Sequence, residues 1–119
     1  MSAAVDTPVS VEAKIRECVT RITNGVAHVN GTYREKLRTA AAYDRAFARA
    51  YLDATGPAHE RRYAAELATV VERDARDVAD AGHRYAEGLA RALRDELDAL
   101  RSLGASIREA YRMAGSVDR

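Results

Sequence analysis

The chain has 119 residues, and its 19 basic and 18 acidic side chains leave a net charge of +1. That balance excludes a strongly cationic tail that grips nucleic acid by charge alone. A single cysteine, Cys18, excludes an internal disulfide framework, and no apolar run approaches the roughly 20 residues that span a bilayer.

The start, MSAAVDTPVS, lacks a basic stretch followed by an apolar one, so no secretory signal is expected. Together with the lone cysteine this predicts a cytoplasmic protein. Residues 1–7 read as a flexible tail, and 8–115 as one all-α domain. Pro8 suits a helix start, where its missing N–H costs nothing. Val11, Ile15, Val19, Ile22, Val26 and Val29 then recur at steps of four and three, the mark of an amphipathic helix. Asn24-Gly25 weakens that helix, and Asn30-Gly31 is a stronger break.

Thr32 and Glu35 have the spacing of a capping box, each side chain reaching the other's backbone N–H. A second helix is expected over 33–54, with Leu37, Ala40, Ala41, Phe47, Ala48, Tyr51 and Leu52 on its apolar face. Thr55-Gly56-Pro57 is the sharpest break, with Gly suited to the position past a helix and Pro to the next first turn. Beyond it there is no proline, so a third helix is expected to run unbroken to about residue 114.

The seam traced along that third helix is Leu67, Val71, Ala75, Val78, Gly82, Tyr85, Leu89, Leu93, Leu97, Leu100, Gly104, Ile107, Tyr111 and Ala114. Its mean step is about 3.6 residues, which suits a straight helix better than a heptad. The second helix is too short to cover the leucine-rich half. The expected fold is therefore a long antiparallel helical hairpin, with a broken first arm over 8–55 and a long second arm over 57–114. In its register Ile15 meets Leu97, Val19 meets Leu93, Ile22 lies near Leu89, and Arg16 stands opposite Glu96. The alternative is a compact three-helix bundle, which leaves Leu89, Leu93, Leu97, Leu100, Leu103, Ile107 and Tyr111 for another subunit. A two-layer hairpin cannot enclose a deep core, so self-association into a homo-oligomer is expected either way.

Chemistry-bearing groups are sparse. Arg94, Arg101, Arg108 and Arg112 fall within about 40° of one another on a helix, with Arg91 about 60° from Arg94. Such a stripe suits a phosphate backbone or an acidic partner. The competing reading is a solvated face with intrahelical pairs such as Arg91 with Asp95. No aromatic residues interleave with these arginines, so single-stranded bases have no stacking platform. Arg61 and Arg62 add positive charge near the hairpin tip. His28, His59 and His83 share no metal-ligand spacing. The hairpin brings His28 and His83 close, with Glu87 a turn on, but solvent-edge histidines are the expectation, and no metal or cofactor is predicted. Paired carboxylates such as Asp77 and Asp80 need a cleft for acid–base work, and a slender hairpin offers none. The expectation is a protein without enzymatic activity.

The segments AYDRAFARAYLDATG (42–56), ERRYAAELA (60–68) and LDALRSLGASIREAY (97–111) carry a resemblance. The matching features are Tyr43, Ala46, Phe47, Ala48, Ala50, Tyr51, Leu52 and Gly56, then Glu60 and Arg61, then Leu100, Ser102, Leu103, Ala105, Ile107 and Arg108. Through them the chain resembles a family of short helical proteins of tailed phages and prophages, encoded near DNA recombination and replication genes. The resemblance covers about residues 33–111, rests on packing patterns, and brings no catalytic residues with it. It implies an accessory role in a bacterial host cell, binding a protein partner of phage or host DNA metabolism. Direct DNA binding through the arginine stripe is the alternative. A small secreted helical-hairpin effector of actinobacterial type is a further one, but that family carries a Trp-Gly turn and this chain has no Trp.

Overall fold

The computed structural model describes residues 5–117. It is an all-α antiparallel hairpin of three helices, α1 (Pro8–Asp53), α2 (Ala58–Ala68) and α3 (Val70–Val117). The first arm is a single unbroken helix, so the expected interruptions at Gly25 and Gly31 do not occur. A glycine costs an interior helix position only about 1 kcal/mol, less than a full-length packing partner returns. The capping box lies elsewhere too. Thr32 is inside α1, and its hydroxyl donates to Val29 O at 2.9 Å. The box that forms is at the start of α1, where Thr7 N donates to Ser10 Oγ at 2.8 Å and Ser10 N to Thr7 Oγ1 at 3.1 Å. Thr7 therefore caps α1, Asp6 meets Lys14 at 2.7 Å, and Val5 is exposed. The rest of the expected tail, 1–4, lies outside the described residues.

The turn is where Gly56 and Pro57 predict it. Gly56 has φ 101°, a left-handed conformation that a side chain resists. Arg61 then ties the turn back to the first arm, its guanidinium donating to Tyr51 O at 3.1 Å and lying 4.5 Å from the Tyr51 ring centre. The second arm is broken where none was expected, at Thr69. This residue is 2% exposed, and its hydroxyl donates to Ala65 O at 2.7 Å. Its N–H reaches Glu66 O in a tightened last turn.

The described residues form two compact units, one from 5–26 and 88–117, the other from 27–87. In the first unit the α1–α3 seam is apolar. Val11 and Cys18 are buried against a row of Leu93, Leu97, Leu100, Gly104 and Ile107, whose members are buried or half-buried. The Cys18 thiol donates to Leu93 O at 3.3 Å. Cys18 thus takes the place expected of Val19, which is 42% exposed. A Cβ on Gly104 would lie 3.3 Å from Val11 Cγ1, so the glycine admits a close approach of the two helices. Glu96 meets Arg21 at 3.7 Å, not the expected Arg16.

In the second unit the seam is polar. The inward positions are Val29, Thr32, Lys36, Thr39 and Tyr43 on α1, and Glu72, Arg76, Ala79, His83 and Ala86 on α3. Lys36 meets Asp80 at 3.4 Å, and the Arg76 guanidinium lies 4.4 Å from the Tyr43 ring centre. In both units the inward rows step by alternating fours and threes, the 3.5-residue repeat of paired helices. The straight 3.6-residue seam agrees with this row from Leu93 onward and drifts off it before. Leu67, Val71, Val78 and Tyr85 are 72–78% exposed, the correction that matters most for function.

Candidate interaction surfaces

The leucines proposed as one assembly surface divide into two groups. Leu93, Leu97, Leu100 and Ile107 face α1 within the first unit, while Leu89, Leu103 and Tyr111 are exposed. The inner four hold the hairpin together, and the outer three remain available to a neighbour.

The arginines divide as well. Arg91, Arg94, Arg101 and Arg108 are exposed. Among the described residues, none of the four has a carboxylate within 4.0 Å, and the anticipated Arg91–Asp95 pair is not formed. Arg112 bonds Glu109 at 2.6 Å, and Arg62 bonds Glu66 at 3.3 Å. Arg61 is engaged by Tyr51 and serves the turn. A row of guanidinium groups at seven-residue spacing, Arg94, Arg101 and Arg108, is thus left for an external anion. Neighbours in such a row stand about 10 Å apart along the helix.

On the second unit, α3 presents Val71, Ala75, Val78, Gly82 and Tyr85, all exposed. In α1, Tyr33 and Leu37 are 48% and 53% exposed. Burial of Leu37 and of the five α3 positions was expected from periodicity; polar side chains hold the inward row instead. A shallow open groove beside that row is lined by Lys36, Ala40, Arg76, Asp77 and Asp80. Its two positive and two negative groups engage one another, since Lys36 meets Asp80 and Arg76 meets Asp77 at 3.2 Å. It offers no unbalanced charge to a ligand.

His83 is the buried polar centre of this unit, 6% exposed. Its Nδ1 lies 3.1 Å from Thr32 Oγ1, its Nε2 lies 3.0 Å from Glu87 Oε1, and the Tyr33 ring stands 5.4 Å away. A carboxylate only accepts, so Nε2–H donates to Glu87, and the Thr32 hydroxyl, which donates to Val29 O, also makes its contact with Nδ1. Sequence reasoning placed His83 at a solvent edge beside His28. His28 is exposed, and among the described residues no three His, Cys, Asp or Glu side chains converge as a metal site. Only a wrong seam hid His83; the heptad row passes through it.

Elsewhere, the Arg38 guanidinium donates to Glu35 at 2.9 Å and holds its carboxyl below the ordinary carboxylate range. The same bond raises Arg38. Among the described residues no helix is long and apolar enough to cross a membrane.

Comparisons with protein-family models, with curated proteins and with solved structures find no match.

Proposed function

We propose that the protein is a non-enzymatic helical interaction module that self-associates and supports DNA recombination or replication of phage type by binding a partner protein. One observation carries the interaction reading. Among the described residues only Val11, Cys18, Ala65, Ala86 and Leu93 are buried apolar side chains, whereas many large apolar side chains on all three helices face water. A chain so placed gains more from a neighbour than from its own core. Support for the phage context is the resemblance of segments 42–56, 60–68 and 97–111. The host cytoplasm is the compartment this reading requires, and it keeps Cys18 reduced.

The test is capture from phage-infected or lysogenic bacteria with the tagged full chain. A recombination or replication protein is retained by the wild type and lost when Arg94, Arg101 and Arg108 are all replaced by Glu. Capture that yields no protein of DNA metabolism counts against the reading.

Direct DNA binding is the second reading, favoured by the four arginines without ion-pair partners. It requires an affinity that falls steeply with salt, with a log–log slope of about −1 per phosphate contact. DNA retention that persists in the triple Arg→Glu variant discards it.

A further inference from the structure

Val71, Ala75, Val78, Gly82 and Tyr85 recur along α3 at steps of four and three, and so share one face. Val71, Val78 and Tyr85 are 77%, 73% and 72% exposed. The chain exposes 8897 Å², and a stable interface takes about 800 Å² from each partner, roughly a tenth of such a surface.

We propose that this face docks a second copy of the chain, with two α3 helices antiparallel about a two-fold axis at the level of Asp80. The order of side-chain sizes argues for a second copy over an unrelated protein. Turned about Asp80, Val78 falls opposite Gly82 and Tyr85 falls opposite Ala75. Both contacts set a large side chain on a small one, Val71 falls opposite the exposed Leu89, and symmetry makes each contact twice. A two-fold interface needs this self-complementarity, because residue i meets j while j meets i. The space above Gly82 is open, with nothing within 4 Å of the position its Cβ would take. Val78 of the second copy enters there, and the missing side chain lets the two backbones approach.

This inference rests on the self-association part of the reading above, and the experiment separates the two. Sedimentation equilibrium on the full chain is expected to show a dimer. Val78→Glu and Tyr85→Glu are expected to weaken it roughly tenfold or more, with helical circular dichroism unchanged because both positions are exposed. A monomeric wild type overturns self-association and this face together. A dimeric wild type whose two Glu variants dimerise equally well overturns the face alone. The register has its own measurement. Chains carrying Val78→Cys, mixed with chains carrying Gly82→Cys under mild oxidation, are expected to form the mixed disulfide. Homodimers of each variant without the mixed species overturn the antiparallel register.

Discussion

At the scale of single residues, polar side chains placed between α1 and α3 decide more than the apolar ones. His83 sits in the inward row, where paired helices usually set an apolar side chain, and is held from both sides, by Thr32 and Glu87. Replacing it leaves a cavity and removes the partner of a half-buried hydroxyl. His83→Ala is therefore expected to cost about 2 kcal/mol of stability, read as a lower denaturant midpoint at unchanged slope. Glu35 makes the contrasting case. Its bond from Arg38 lowers the carboxyl's folded-state pKa. The pairing thus contributes above the unfolded-state value and is lost as pH falls through the folded one. Because the pair is fully solvated, its effect on stability is small, and the titration is the informative measurement. In Arg38→Met, the Glu35 side-chain resonance is expected to titrate at higher pH than in the wild type; an unmoved curve refutes the assigned cause. None of this was visible beforehand, because a histidine near a seam carries no sign of which way it points.

At the scale of elements, the turn was legible and the helix breaks were not. Gly56 announces the hairpin, since only glycine takes φ 101° without strain. Gly56→Ala is expected to destabilise by about 1–2 kcal/mol, measured by thermal or denaturant unfolding. The new Cβ would meet Glu60 Oε2 at 2.8 Å, but that flexible carboxylate moves aside, so the backbone is the source of the cost. Gly31 behaves in the opposite way. It lies in the interior of α1 with nothing within 4 Å of its Cβ position. Gly31→Ala is expected to stabilise by about 0.5–1 kcal/mol; a loss of helicity there would show that the helix needs the glycine. Local propensity misplaced both breaks, for different reasons. Asn-Gly in α1 is overridden by packing along the whole helix. At Thr69 no turn residue marks the junction of α2 and α3, where a buried hydroxyl bonds the preceding turn instead.

At the scale of the whole molecule, the imbalance between a thin core and exposed apolar faces governs behaviour. A chain that self-associates is stabilised by mass action. Its melting temperature is therefore expected to rise as protein concentration is raised a hundredfold, and a constant value speaks for a monomer. The exposed apolar side chains Val71, Val78 and Tyr85 belong to the second unit, and the exposed arginines Arg94, Arg101 and Arg108 to the first. Self-association and partner binding can then be lost separately, and the Val78→Glu and triple Arg→Glu variants distinguish them.

Composition and periodicity alone pointed to an all-α hairpin turning at Gly56, with its N-terminal third beside the leucines of the second arm, and left a compact three-helix bundle as the alternative. These features follow from local rules: helix propensity over long stretches without an interior proline, one left-handed residue before a proline, and apolar residues in need of cover. Which side of α3 meets α1 before Leu93 was decided only in the tertiary structure. Two rows, one stepping by 3.6 residues and one by 3.5, run almost together along a helix and separate over several turns. A second helix can follow only the 3.5-residue row, because paired helices stay in contact only when the repeat matches their winding about each other. That requirement turns His83 and Arg76 inward and leaves Val71, Val78 and Tyr85 facing water.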